Sequence, residues 1–350
     1  MTLPRYQWQP TTAEIARRLG ISPRDVVRFD HNTSPFPTDW APSLLAEAAR
    51  HLNEYPGADY RPLREAAAKY CGVEPDNVVA GAGVDELILL AARAFLDPSR
   101  LAAMLTPTYP LYRIATMQQR ARLVEVPLLP PDFGYSAEPL IAAARDADLT
   151  WLCVPANPIG SRMEDGLVEA VIAATPGVVV IDAAYAEFCG DVWAPWIERH
   201  DNLVVMHTLS KGFGLAGARV GYAVASPPLI DAIDGVRPPG SIASLSVDLA
   251  VAALDEPSRM QRRVARLLKE RDRLAAKLEN LGLEVLPSQA NFLLCRVGTN
   301  AGDLADGLLD SGLVVRRFDV RSPLAGHLRF TVRSPEEDDR LVEALWRQLP

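Results

Sequence analysis

Cysteine is scarce and scattered: four residues, Cys71, Cys153, Cys189 and Cys295, in a chain of 350, with no C-x-x-C pair among them. That excludes a disulfide scaffold and predicts reduced core thiols in an intracellular protein. Basic residues are outnumbered, 36 Lys and Arg against 44 Asp and Glu, for a net charge of −8. A general nucleic-acid-binding role is therefore excluded, because such a role needs a basic field. The basic cluster QRRVARLLKERD (261–272) reads as a solvated helix face. No apolar run approaches the roughly 18 residues of a membrane span. The opening MTLPRYQWQP lacks the apolar core of a signal peptide. His31, His51, His200 and His327 form no ligand spacing, so no metal is expected. There are no internal repeats and no low-complexity tracts. A cytoplasmic globular protein is the expectation.

What is present is an alternation. Short β-branched runs lie at NVVAGAG (77–83), LAAMLTP (101–107), RLVEVPL (122–128), LTWLCVP (149–155), GVVVID (177–182), LVVMHT (203–208) and VGYAVA (220–225). Amphipathic stretches such as DELILLAARAFL (85–96) and GLVEAVIAAT (166–175) separate most of them. The pattern predicts an α/β fold with a mostly parallel sheet. Most of these runs are apolar on both faces, as a sheet covered by helices on both sides requires. After residue 225 the pattern changes. Prolines punctuate the chain at 227–228 and in RPPGS (237–241), and a long helical stretch over 244–282 follows, broken near Pro257. Strand candidates NFLLCRV (291–297), LVVRRF (313–318) and HLRFTV (327–332), with helices near 301–311 and 335–349, make a compact α+β unit. At 350 residues two domains are expected. The boundaries are set at 1–40 for an N-terminal arm that forms part of the small domain, 41–240 for the large domain and 241–350 for the small C-terminal domain.

One motif tempts. HTLSKGFGLAGARVGY (207–222) contains a literal G-x-G-x-x-G. A dinucleotide fold needs a helix after those glycines and an acidic residue about 20 positions on. Here strand-like VGYAVA follows three residues after the last glycine, and position 237 is Arg. The informative residue is instead Lys211, placed directly after a strand. Ser210 precedes it and Arg219 follows. Upstream, one strand run ends at Asp182 with Tyr185 three residues on, and another ends in VPANPIG, which puts Asn157 in a Pro-flanked turn. GAG-VDEL ends a strand in glycines and starts a helix, whose free amides and dipole suit a phosphate. A lysine for a Schiff base, an aspartate for a pyridinium nitrogen, tyrosine and asparagine donors for a phenolic oxygen and an arginine-backed phosphate cradle are the set that pyridoxal phosphate needs.

With those residues in place, the sequence resembles the fold-type I aminotransferases (class I/II), in particular their histidinol-phosphate aminotransferase-like branch. TLSKGFGLAGARVGY resembles the lysine segment and VVVIDAAYAEF the Asp-Glu-Ala-Tyr segment. YPGADYRPLREAAAKYCGVEPDNVVAGAGVDELILLAARAFLDP (55–98), PTYPLY (107–112), NFLLCRV and LRFTV also match, in order and spacing. The resemblance implies the PLP-dependent transferase fold type I, with a mostly parallel seven-stranded sheet in the large domain and a smaller α+β domain. It implies a homodimeric enzyme that carries its cofactor on Lys211. Asp182 would meet the pyridine nitrogen, and Tyr185 and Asn157 the phenolic oxygen. Tyr109 would stack on the ring, or Tyr112 in its place. Ser210, Arg219 and the amides of Val84 and Asp85 would hold the phosphate, joined by Tyr55 from the partner subunit. The side chains of Asp85 and Glu86 would stabilise the helix start, leaving only backbone to face the ligand. Arg329, with Arg316 and Asn32, would bind the substrate. Its implied substrates are a small anionic amine such as histidinol phosphate and the pair glutamate/2-oxoglutarate. Another aromatic or specialised amino acid, or decarboxylation of an amino-acid phosphate on the same scaffold, is the alternative.

The chain departs from the family mainly on the substrate side. His31-Asn32-Thr33-Ser34-Pro35 stands for Asn-Glu-Asn-Pro, Pro155-Ala156-Asn157-Pro158-Ile159-Gly160 for Pro-Asn-Asn-Pro-Thr-Gly, and Gly240-Ser241 for an aromatic and an asparagine. Ala183 replaces the acidic residue after Asp182, and Arg333 replaces a glycine. Arg333 shares the strand face of Arg329 if the strand runs on regularly, which makes it a weaker candidate for a second anion contact.

Overall fold

The computed structural model of the protein describes residue 6 and residues 9–190 and 192–349. Its strands, in chain order, are β1 (Val27–Arg28), β2 (Val78–Gly81), β3 (Leu101–Thr106), β4 (Arg122–Pro127), β5 (Leu149–Cys153), β6 (Val178–Asp182), β7 (Leu203–Thr208) and β8 (Gly221–Ala225). They continue with β9 (Glu284–Val285), β10 (Phe292–Arg296), β11 (Leu313–Val314), β12 (Arg316–Arg317) and β13 (His327–Thr331).

The seven runs expected before residue 225 all pair into one seven-stranded sheet, in the order β2-β8-β7-β6-β5-β3-β4. The neighbours β7-β6, β6-β5, β5-β3 and β3-β4 are parallel, while β8 lies antiparallel to both β7 and β2. Apolar alternation explains the layers. Val179 and Ile181 of β6, with Leu203 and Val205 of β7, point into one core, and Val180, Val204 and Met206 point into another on the opposite face. Helices cover both faces, and each such Val, Leu or Ile contributes about 1.5–3 kcal/mol by leaving water.

A four-stranded antiparallel sheet, β12-β13-β10-β9, forms the second unit. Its core joins Leu293, Leu328 and Phe330 to Leu341 and Leu345 of the helix Pro335–Trp346, and takes in Val27 and Phe29 from the N-terminal segment. That segment pairs β1 in parallel with β11 and then runs along β13, where Thr331 N donates to Phe29 O at 2.8 Å. The expected single strand 313–318 is split into β11 and β12, each in a different sheet. The long helical stretch breaks where proline demanded, into Ser244–Asp255 and Pro257–Asn280.

Candidate active site

Every parallel strand of the large sheet ends at the same edge, where open α/β sheets place ligands. β6 delivers Asp182, β7 leads to Ser210 and Lys211, β5 to Asn157, β3 to Tyr109 and β2 to the Gly83–Val84 turn. Because β8 runs the other way, it is Arg219, two residues before its first, that reaches this edge. The second unit closes over the edge with Arg316 and Arg329. A cleft of about 660 Å³ results, and the sequence-predicted site residues line it except Tyr55, the alternative ring residue Tyr112 and the weaker candidate Arg333. Tyr55 stands outside, 96% exposed.

At the floor, Asp182 is buried, and both of its carboxylate oxygens accept hydrogen bonds, from Tyr112 Oη at 2.6 Å and from Ala184 N at 3.0 Å. Burial raises its pKa to about 6, against the pull of those two donors. Sequence reasoning offered Tyr112 as a second ring candidate; the fold buries it against Trp151 as the partner of Asp182. Its position three residues after Tyr109, on the inward face of the helix Pro110–Gln118, was the available signal. Lys211 Nζ donates to His31 O at 3.2 Å and lies 5.9 Å from the centre of the Tyr185 ring. Desolvation first, then the nearby cationic Arg329, lowers its pKa to about 8. Tyr185 is buried, and its hydroxyl accepts from Asn32 Nδ2 at 2.9 Å.

At one end, the helix Val84–Phe95 points its first amides into the cleft. Two glycines permit this. Gly83 has φ +81°, and a Cβ there would lie 2.7 Å from Arg219 Nη2; a Cβ at Gly221 would lie 2.9 Å from Val84 N. Arg219 itself holds a left-handed φ of 53°, a conformation costly for a non-glycine residue and common at functional sites. Ser210 Oγ accepts from Thr208 Oγ1 at 3.0 Å and faces Arg219 Nη1 at 3.5 Å. Glu86 behaves as a helix-start acid should, since its carboxylate accepts from Ala82 N at 2.6 Å and from Ser241 Oγ at 3.0 Å. Asp85 does not. Its carboxylate turns into the cleft and accepts from Tyr109 Oη and from Arg219 Nη2, each at 2.9 Å. The expectation that only its backbone would face the cleft is corrected here. With the helix opening onto the cleft, its first-turn side chain reaches Tyr109 and Arg219.

At the other end, β12 and β13 set Arg316 opposite Arg329. Arg329 is 7% exposed. It donates to Asn157 Oδ1 and to Asp30 O, and its Nε has no partner among the described residues. Burial and then the charge of Arg316 lower its pKa to about 10. Neither arginine has a carboxylate partner among the described residues, whereas Arg219 is paired with Asp85 and Arg113 with Glu125. Asn32, 2% exposed and in the left-handed region at φ 53°, spends its amide on Tyr185 and its Oδ1 on Thr331 Oγ1 at 3.1 Å. Arg333 lies outside the cleft lining. β13 stops at Thr331, so strand alternation does not carry Arg333 to the face of Arg329, and its guanidinium donates to Glu337 and to Thr33 O instead. Sequence reasoning also missed Tyr6, which lines the cleft with its ring 6.3 Å from that of Tyr109. No local pattern marks a residue so far upstream.

Residues 24–345 match the family model "Aminotransferase class I and II". The chain is 37% identical over 298 residues to histidinol-phosphate aminotransferase of Caldanaerobacter subterraneus subsp. tengcongensis, covering 84% of each chain. It is 36% identical over 324 residues to histidinol-phosphate aminotransferase 2 of Archaeoglobus fulgidus, covering 92% of this chain and 93% of that one. Among solved structures it is similar to histidinol-phosphate aminotransferase from Sinorhizobium meliloti in complex with pyridoxal-5'-phosphate, with a TM-score of 0.89 and 28% identity over 98% of this chain and 96% of that one.

Proposed function

The chain belongs to the class I and II aminotransferases, and from that premise we propose that it moves an amino group between a small anionic amine, with histidinol phosphate as first choice, and 2-oxoglutarate. It is an enzyme of the transferase class and its cofactor is pyridoxal 5'-phosphate. The residues of the cleft suit that cofactor. Gly221 leaves the Val84 amide open to an anion, as a Cβ 2.9 Å from it would not, and Gly83 leaves room for the Arg219 guanidinium. When bound, the cofactor supplies an electron sink for the bond broken at the substrate Cα.

In this reading Lys211 would hold the cofactor and would move the proton at the substrate Cα. Its lowered pKa, about 8, puts a free amine within reach of neutral pH. Asp182 pairs with the pyridine nitrogen. With a pKa of about 6 it is still an anion at neutral pH, and Tyr112 and Ala184 fix its orientation. Tyr185 and Asn157 serve the phenolic oxygen, and Tyr109 stacks on the ring. Ser210, Arg219 and the amides of Val84 and Asp85 serve the phosphate. Tyr55, which its own cleft does not use, reaches the cofactor phosphate of a partner subunit in a homodimer. Asn32 belongs to the substrate side and acts there while it holds Tyr185. Four cysteines with no disulfide among the described residues suit a reducing cytoplasm, and no described helix is long and apolar enough to cross a membrane.

The observation that carries the substrate class is the pair Arg316 and Arg329. A buried guanidinium with no salt bridge and an unpartnered Nε is costly unless an anion completes it, and its planar fork suits a carboxylate or a phosphate. The test is to supply purified holoenzyme with histidinol phosphate and 2-oxoglutarate and to follow glutamate together with the keto product by mass. Formation of both in equal amounts is expected. Release of carbon dioxide, or a reaction only with unphosphorylated amines at millimolar concentration, overturns the reading.

A further inference from the structure

Asp85 occupies an unexpected place. Its two carboxylate oxygens are divided between two residues that come from opposite sides of the cleft. Tyr109 arrives from the turn after β3, and Arg219 from the turn that leads into the antiparallel strand β8. Oδ1 accepts from the Tyr109 phenol and Oδ2 from Arg219 Nη2, both at 2.9 Å. Arg219 in turn faces Ser210 Oγ. The Tyr109 ring is otherwise held edge-on, by Tyr112 at 5.8 Å and by Tyr6 at 6.3 Å. Asp85 is thus the one side chain hydrogen-bonded to both the ring tyrosine and the phosphate-side arginine among the described residues.

We propose that Asp85 is a positioning residue that locks the Tyr109 ring and the Arg219 guanidinium into one constellation and offsets the arginine's charge, so that the cleft's grip on a phosphate and its grip on an aromatic ring are coupled. The proposal rests on the reading of the cleft as a pyridoxal-phosphate site. A carboxylate beside Arg219 leaves that ion pair with no net charge, so an incoming phosphate relies on the helix amides and on Ser210 as well as on the guanidinium. The same negative charge is felt further in. Lys211 is surrounded by Arg329, Arg219, Asp182 and Asp85, with His31 at its carbonyl contact, and Asp85 is the stronger of the two acids that hold its pKa up. It raises the pKa of Asp182 as well.

Two substitutions separate the roles. Asp85→Asn retains an oxygen for the Tyr109 phenol and removes the charge; Asp85→Ala removes both. Wild-type and variant apoenzymes would be titrated with inorganic phosphate, with pyridoxal and with pyridoxal 5'-phosphate. Asp85→Asn is expected to bind inorganic phosphate about threefold more tightly, the scale of a half-exposed ion pair, with pyridoxal affinity unchanged. Asp85→Ala is expected to share that gain and to lose pyridoxal affinity several-fold. In both variants the visible absorbance of the bound cofactor should titrate at lower pH than in wild type, because Lys211 has lost a stabilising anion. Phosphate affinity that rises in neither variant, pyridoxal affinity that Asp85→Ala leaves unchanged, or a titration pH that stays put, overturns the proposal. If the wild type itself fails to take up pyridoxal 5'-phosphate, it is the reading of the cleft that falls.

Discussion

The floor of the cleft and its mouth handle charge in opposite ways. At the floor, carried by the seven-stranded sheet, each charged group among Asp182, Asp85 and Arg219 is satisfied by a partner of matching chemistry. At the mouth, where the N-terminal segment meets the four-stranded sheet, Arg316 and Arg329 face the cleft without a salt bridge among the described residues, the nearby Asp30 carboxylate being paired with Arg28. A floor whose charges are already oriented suits a resident group that must stay in place. A mouth with uncompensated positive charge suits an anion that comes and goes. The sequence divides only partly along the same line: the floor residues Lys211, Asp182, Tyr185, Asn157 and Arg219 keep the family pattern although Ala183 and Ala156 beside them do not, while at the mouth His31–Ser34 departs from it.

The comparison can be broken most severely at Lys211. Lys211→Ala should abolish covalent retention of the cofactor and reduce turnover by at least about a hundredfold, the lower range for a proton-transfer group. Borohydride reduction of the wild type followed by peptide mapping should find the cofactor on Lys211; a modified Lys69 or Lys277 would refute the assignment. The mouth is tested by Arg329→Lys, which keeps the charge and loses the fork. KM for the anionic amine should rise about thirtyfold, near 2 kcal/mol for a buried charged contact, with the cofactor spectrum undisturbed. A KM within a factor of two of wild type would remove Arg329 from the substrate site.

Asp182→Asn sharpens the floor, since an asparagine oxygen still accepts from Tyr112 while the charge is gone. Turnover should fall by more than about tenfold, or 1.4 kcal/mol of barrier, with the melting temperature little changed. Retained turnover would mean that the charge is not used. Tyr55→Phe should weaken cofactor retention by about 1–2 kcal/mol, the loss of a hydrogen bond to a charged group, measured by equilibrium dialysis. A fully active monomer in sedimentation would contradict the shared site. The smallest effect is reserved for Arg333→Ala. With its guanidinium turned to Glu337 and Thr33 O and outside the cleft lining, it should leave KM for phosphorylated and unphosphorylated amines alike within about twofold. A selective loss with the phosphorylated amine would place an anion subsite beyond β13.

Much of this protein was legible before folding because its signals are local. The seven apolar runs of the large sheet, the break at Pro257 and the clustering of Lys211, Asp182, Asn157 and Arg219 near strand ends follow from period, proline geometry and the rule that parallel strands present one common edge. What sequence left open depends on which side chains meet across that edge. The helix 85–96 was legible and the direction of its first carboxylate was not, because the same residue can cap a helix or reach across a cleft, and only the approach of Tyr109 and Arg219 decides. Tyr112 became the partner of Asp182 because Trp151 packs beneath it, and Arg333 left the substrate face because β13 ends two residues earlier. Asn32 and Thr331, which lock the N-terminal segment to β13 and to Tyr185, lie 299 residues apart in the chain. The sequence by itself determined the elements, their order and the chemistry available at the sheet edge. Tertiary packing alone decided which charges would find a partner there and which would be left to meet an anion, since pairing and desolvation are properties of neighbours that no local pattern records.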